Sequence, residues 1–201
     1  MNLFAAEHTK TDLPLKGAQV CYYTNQFNNL TAARYYKHLL EHTPWRQDNI
    51  KVFGKVYPQP RLTALYAINN KPYTYSGITM EPLPFTPELL EIKAKVEAIA
   101  KIKFTTVLLN LYRDGSDSNG WHSDDEKELG VNPNIASVSF GATRLFKFRE
   151  KENHKNTFNL PLEAGSILLM QGATQHTWQH QIPKTKKQVG PRINLTFRVL
   201  H

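Results

Sequence analysis

The strongest periodic signal in the chain lies between residues 86 and 101. Thr86 stands where an N-cap would, Pro87 follows at the first helical position, and Leu89, Ile92, Val96 and Ile99 recur at spacings of three and four. Such spacing lays apolar side chains along one stripe, so it predicts an amphipathic helix from 87 to about 101. Thr31 to His42 reads as an earlier helix, with Thr31 as its cap and Tyr36, Leu39 and Leu40 on the stripe. From Phe104 onward the period falls to two, in short runs at 104–112, 135–140, 144–149, 157–161, 166–171 and 192–199. No helical pattern separates these runs, which excludes a parallel βαβ arrangement and predicts antiparallel sheets. The fold class that follows is α+β: a double-sheet jelly roll or small barrel, with the N-terminal helices buttressing one side. Residues 1–20 read as an N-terminal arm to a single domain over 21–201, whose core spans about 104–200.

The last run has two faces of different chemistry. Between Arg192 and Arg198 a period of two sets Ile193, Leu195 and Phe197, continued by Val199, against Arg192, Asn194, Thr196 and Arg198. The apolar set requires a core. A solvated opposite face would accept polar residues of any kind, whereas two arginines flanking Asn and Thr make a row of donors suited to an elongated dianion inside a barrel. Asn110 and Tyr112, also two apart, offer an amide and a phenol to the same site.

Between these strands lies Trp121-His122-Ser123-Asp124, followed much later by Trp178-Gln179-His180. Two imidazoles and one carboxylate can occupy one face of an octahedron and leave three positions open, the facial triad of non-haem Fe(II) oxygenases. In a chain with 8 His the His-x-Asp pair alone is a weak signal, and the dianion-binding strand after it strengthens the case. For the distal ligand His180 is preferred to His176, because His180 sits between Trp178 and Ile182 in a strand-like run while His176 falls in a polar turn. His8, His38, His42, His154 and His201 have no partners in sequence and read as surface residues. A 2-oxo acid on such an iron would fill two open positions, with Arg192 and Arg198 balancing its carboxylates and dioxygen taking the last. Its decarboxylation would yield an oxidant for a nearby C–H bond.

Charge adds a class of partner. The 25 Lys and Arg against 17 Asp and Glu leave a net charge of +8, which favours an anionic partner, nucleic acid first among them. Lys147, Arg149, Lys151 and Lys155 cluster in one stretch and Lys184, Lys186 and Lys187 in another, a pattern that solvated hairpin tips also produce. No apolar run approaches the roughly 20 residues of a bilayer span, so no membrane partner is expected. The start lacks a basic region, and Glu7 and His8 interrupt its short apolar stretch, unlike a secretory signal. A lone Cys21 excludes an internal disulfide framework and Cys-based zinc sites, and a cytoplasmic location is the expectation.

The order Asn110-Leu-Tyr112, Trp-His122-Ser-Asp124-Asp-Glu126, Phe-Gly-Ala-Thr-Arg144, Trp-Gln-His180 and Pro-Arg192-Ile-Asn-Leu-Thr-Phe-Arg198 resembles the AlkB family of Fe(II)- and 2-oxoglutarate-dependent nucleic-acid demethylases. The likeness runs from about Val52 to Leu200. It implies a double-stranded β-helix core, iron held by His122, Asp124 and His180, and 2-oxoglutarate held by Asn110, Tyr112, Arg192, Asn194, Thr196 and Arg198. It places Glu126 beside the damaged base and a nucleotide-recognition lid at about 50–80, where Tyr73, Tyr75 and Ser76 meet the nucleotide and Tyr75 stacks the flipped base against His122. Val52-Phe53-Gly54, shortly before Pro60-Arg61, resembles the wedge that duplex-preferring relatives insert into the base stack, which would make Phe53 and Arg61 substrate contacts, with burial in a sheet core as the alternative for Phe53; the lid and Gln171-Gly-Ala-Thr-Gln175 instead resemble relatives that accept single strands and RNA.

The activity implied is oxidative demethylation of 1-methyladenine and 3-methylcytosine in DNA, with RNA as a further substrate, by a monomeric enzyme that releases formaldehyde and succinate. Two readings compete with it. One is a 2-oxoglutarate oxygenase acting on a protein or small molecule; the other is a nucleic-acid-binding jelly roll that has lost catalysis.

Overall fold

Buried apolar side chains divide into two clusters, one on each face of a large sheet. The computed structural model of the chain describes residues 8–52, 54–69, 73–75 and 78–201. Its first part runs β1 (Lys10–Asp12), β2 (Gln19–Tyr23), α1 (Asn29–His42), β3 (Asn49–Val52), β4 (Lys55–Pro58) and β5 (Leu62–Ala67). There follow β6 (Tyr73–Tyr75), β7 (Ile78–Met80), β8 (Leu83–Pro84), α2 (Pro87–Ala100), β9 (Thr106–Tyr112), β10 (Asn119–His122) and β11 (Ile135–Gly141). The last elements are β12 (Arg144–Glu150), β13 (Thr157–Leu162), β14 (Ile167–Gln171), α3 (Thr174–Thr177), β15 (Trp178–Ile182) and β16 (Arg192–Arg198).

The large sheet has eight strands in the order β1-β2-β14-β11-β16-β9-β5-β8, and a smaller sheet has four in the order β10-β15-β12-β13. This is the double-sheet antiparallel arrangement that the period of two predicts, with a parallel pair, β5–β8, at one edge. On the outer face of the large sheet, Ala32, Tyr35 and Leu39 of α1 and Leu89, Ile92 and Val96 of α2 pack with Leu109, Val138, Ile193 and Phe197. On its inner face Leu108, Ile135, Leu168 and Met170 meet Phe146, Phe148, Trp178 and Ile182 of the small sheet. The chain passes from β11 in one sheet to β12 in the other at Gly141, whose φ is +83° and whose missing Cβ would lie 2.5 Å from the Pro191 carbonyl oxygen. Only glycine fits that corner.

One expectation needs correction. Helix α1 begins before Thr31: Asn28 is the cap, its side chain accepting from the Thr31 N–H at 2.9 Å. Asn is the stronger cap, and the stripe that faces the core is centred on Ala32, Tyr35 and Leu39, with Tyr36 and Leu40 half-buried at its edge. The described part of the N-terminal arm is tied down, since Lys10–Asp12 pairs with β2, Leu13 and Leu15 are buried, and Trp178 Nε1 donates to the Lys16 carbonyl at 3.0 Å. Phe53 and Ser76 lie outside the described residues.

Helix α2 starts where its cap signal places it, with Thr86 Oγ1 accepting from the Leu89 N–H. Its far end is fixed by buried Glu97, which accepts from Lys93 Nζ at 2.6 Å, Lys103 Nζ at 3.0 Å and the Phe104 N–H at 2.9 Å. Glu97 therefore locks the helix to the start of β9. Burial alone would raise its pKa, but the two lysines and the amide outweigh burial and hold it below the ordinary value. Lys103 is largely exposed, so water screens its share of the interaction. A depressed folded pKa stabilises the fold above the unfolded value of about 4.3, and the benefit is lost as pH falls through the folded value. Glu97→Gln should cost about 1–3 kcal/mol at neutral pH, with the gap to the parent closing in acid, as read from urea unfolding at both pH values.

Candidate metal centre and anion pocket

Strand β16 is buried on both faces, and its pairing with β9 sets Arg192 opposite Tyr112 and Asn194 opposite Asn110. The apolar set Ile193, Leu195 and Phe197 belongs to the helix-side core, as the alternation requires. The polar set Arg192, Asn194, Thr196 and Arg198 faces a cleft between the sheets, joined there by Asn110, Tyr112, His122, Asp124 and His180.

His122 ends β10 directly opposite His180 on β15, with ring centres 4.3 Å apart. Asp124 lies two residues beyond, and one ligand atom from each of the three falls within 4.8 Å of the others. His176, the alternative distal ligand, is exposed on α3. The His122 Nδ1 lies 2.7 Å from the Gly120 carbonyl oxygen. A carbonyl only accepts, so the ring proton sits on Nδ1 and the Nε2 lone pair is left for a donor or a metal. Asn119 Nδ2 donates to that Nε2 at 3.2 Å. Phe146 stacks on the His180 ring, 5.1 Å between centres.

Electrostatics hold the three groups in their ligating forms. Burial lowers both imidazoles, His180 to about 3 with the help of neighbouring His122, so both are neutral at physiological pH. Burial would raise the Asp124 carboxyl, but Arg198 and the two histidines outweigh it and hold it at about 2. Neutral imidazoles and an ionised carboxylate are the states that bind a metal cation.

The two arginines have different surroundings. Arg198 Nη2 donates to Asp124 Oδ1 at 2.9 Å. Arg192 is buried, its Nη2 donates to Ser139 Oγ at 2.9 Å, and its Nε and Nη1 meet no acceptor among the described residues. Burial lowers its pKa to about 10, which still leaves it charged. A buried guanidinium with unused donors is costly unless an anion joins it. Between the arginines runs an amide relay: Arg61 Nε donates to Asn110 Oδ1 at 2.8 Å, and Asn110 Nδ2 to Asn194 Oδ1 at 3.3 Å. Asn194 Nδ2 in turn donates to Ser137 Oγ at 2.7 Å, while Thr196 Oγ1 donates to Asn194 Oδ1.

The residues expected to meet a nucleotide are placed less uniformly. Arg61 is buried beneath Asn110 and not on an exposed face. Glu126 lies near the triad, and its Oε2 is buried without a hydrogen-bond partner; burial first, then the Asp124 charge, raises its pKa. Tyr73 and Tyr75 lie on β6, which pairs with β7 in a separate two-stranded ribbon. The Lys184, Lys186 and Lys187 cluster is exposed, while Lys151 pairs with Asp125 and Arg149 lies over the Trp121 ring. Ser137, Ser139 and Gln175 make hydrogen bonds at this site that their own residue types do not advertise.

A profile of the 2OG-Fe(II) oxygenase superfamily matches residues 19–198. Alpha-ketoglutarate-dependent dioxygenase alkB homolog 3 of Mus musculus is 44% identical over 197 residues, covering 94% of this chain and 68% of that protein. The chain belongs to the AlkB family. The DNA oxidative demethylase ALKBH2 of Homo sapiens is 39% identical over 188 residues, 89% of this chain and 72% of that protein. The chain spans 60% of the Bos taurus alkB homolog 3. The solved structure of OsALKBH1 superposes with a TM-score of 0.62 at 18% identity, over 89% of this chain and 97% of that one, a likeness of fold. Like its superfamily, this AlkB-family chain is an Fe(II)- and 2-oxoglutarate-dependent dioxygenase. The residues present fit both groups: two imidazoles and a carboxylate suit Fe(II), and the unsatisfied donors of Arg192 suit a carboxylate.

Arg192→Met removes a buried charge that forms no ion pair among the described residues, so the metal-free protein should gain about 1–3 kcal/mol or hold its stability. At the same time 2-oxoglutarate should cease to raise the unfolding midpoint. Thermal scans with and without the oxo acid check both, and a variant less stable than its parent would contradict the unsatisfied-donor argument.

Proposed function

We propose that the chain demethylates N-alkylated bases, chiefly 1-methyladenine and 3-methylcytosine in DNA, and accepts RNA as a second substrate, acting as a monomer. The observation that carries the oxygenase chemistry is the pairing of a His-Asp-His cluster with a buried, unsatisfied Arg192 in one cleft. The substrate class is supported by similarity to proteins named DNA oxidative demethylase and by the net charge of +8.

His122, Asp124 and His180 would hold the iron. With 2-oxoglutarate and dioxygen it supplies oxidation of the N-methyl group to a hydroxymethyl group, which leaves the base as formaldehyde, while the oxo acid becomes succinate and carbon dioxide. Arg192 takes the distal carboxylate of the oxo acid, with Tyr112, Asn194 and Thr196 completing its surroundings. Arg198 neutralises Asp124 and fixes which carboxylate oxygen remains toward the centre. The Asn110 and Asn194 amides are held by Arg61 and Ser137, so neither rotates when the oxo acid enters. Glu126 offers a carboxylate with one unengaged oxygen toward a base made cationic by methylation, and that base, unable to pair, costs less to flip out of the stack. The ribbon of β6 and β7, which carries Tyr73 and Tyr75, would cover the nucleotide.

The test is mass spectrometry of oligonucleotides carrying 1-methyladenine or 3-methylcytosine, as single strand, duplex and RNA, incubated with Fe(II), 2-oxoglutarate and air. Loss of one methyl group only when iron and oxo acid are both present is the expected result, and His122→Ala should abolish turnover while keeping affinity for the oligonucleotide within a few-fold. Succinate accumulating over an intact methyl group would instead transfer the chain to oxygenases of proteins or small molecules. Alanine at Lys184, Lys186 and Lys187 should lower the slope of log affinity against log salt by about 0.7–0.9 for each phosphate left without its lysine.

A further inference from the structure

The short helix α3 joins β14 to the strand that carries His180, and its Gln175 is fully buried. Gln175 Oε1 accepts from the backbone N–H of Asp124 at 3.0 Å. Because a backbone N–H only donates, the amide can be oriented in one way. Its Nε2 is then turned toward Met170 Sδ at 3.6 Å, a weak acceptor on the wall of the cleft. One residue earlier, Ser123 Oγ donates to the Trp178 carbonyl at 3.1 Å. Two hydrogen bonds thus stitch the turn bearing Asp124 to the segment leading into His180.

Asp124 stands past the end of β10, where no ladder hydrogen bond fixes its backbone. Its carboxylate is held by Arg198 and its N–H by Gln175, and the two together define its position relative to His180. The geometry points to Gln175 as a positioning residue that sets the Asp124-to-His180 spacing and through it the metal affinity of the centre. This rests on the reading of His122, Asp124 and His180 as the metal ligands. Partners behind a ligand tune metal affinity by about 10–100-fold when removed.

The probe is Mn(II) alone, titrated calorimetrically into the metal-free full chain, with the unfolding midpoint of each variant recorded beside it. Gln175→Met keeps the shape and deletes the acceptor, and should weaken Mn(II) binding by about 10-fold or more. Gln175→Glu retains an oxygen at the same reach and should restore affinity to within about threefold of the parent. Should Gln175→Met fail to fold, Gln175→Asn, whose amide is withdrawn by one methylene, takes its place under the same criterion. A lower midpoint with unchanged Mn(II) affinity makes Gln175 merely structural and overturns the proposal, as does a glutamate variant that binds no better than the methionine one. A parent chain that fails to bind Mn(II) refutes the metal-centre reading itself.

Discussion

Two arginines of one strand are buried with a single aspartate between the sheets, and the fold has to make that arrangement tolerable. Isolated charges in a dry interior are expensive, so each must find an opposite charge or a full set of hydrogen bonds. Asp124 and Arg198 satisfy each other at 2.9 Å. Among the described residues Arg192 donates to Ser139 and lies beside Tyr112, with no carboxylate paired to it. Strand β16 can carry such residues because its other face, with Ile193, Leu195 and Phe197 fully buried, is pinned by the helices and by its neighbours β9 and β11. The apolar face stabilises the strand and the polar face draws on that stability to keep an anion site ready.

The same division of labour explains why the two sheets differ in size. The large sheet is covered on both faces and supplies the rigid half of the cleft. The small sheet, held over it by Phe146, Phe148 and Trp178, contributes both histidines through the β10–β15 pair. A metal centre built across two strands in register needs only one further residue from a turn, and Asp124 is that residue. Its position is the least constrained by the ladder and the most dependent on side-chain hydrogen bonds.

How much of this is legible in the sequence depends on whether the signal is periodic. Alternation in 192–199 and 104–112 assigns each residue to a face from the sequence alone, because a strand's side chains alternate whatever its neighbours do. The choice of His180 over His176 follows from the strand-like run around His180. Arg61 misleads: expected among the substrate contacts, it is buried against Asn110, and nothing local in the sequence reveals that. Gln175 is invisible for a related reason: its role depends on a hydrogen bond with Asp124, 51 residues away in sequence. The tie between residues 10–18 and the sheet escapes a sequence reading because a three-residue strand with every side chain exposed has no hydrophobic period to follow.

Charge balance within the cleft bears on substrate choice. Iron(II) and two guanidiniums bring more positive charge than one aspartate and a dicarboxylate offset, so the loaded centre retains a net positive charge. A cationic methylated base approaching it is repelled unless a negative group stands at the point of entry. Glu126 is placed two residues from Asp124, with one oxygen buried and unengaged, and is an acidic residue whose ionisation is coupled to both Asp124 and Arg198. Burial and the Asp124 charge work against its ionisation. A cationic base would offset both effects, because it gives the carboxylate an opposite charge and opposes the aspartate's field. A neutral, unmethylated base offers no such compensation. On the proposed function, the electrostatics of the cleft would favour a methylated, cationic base over an undamaged one.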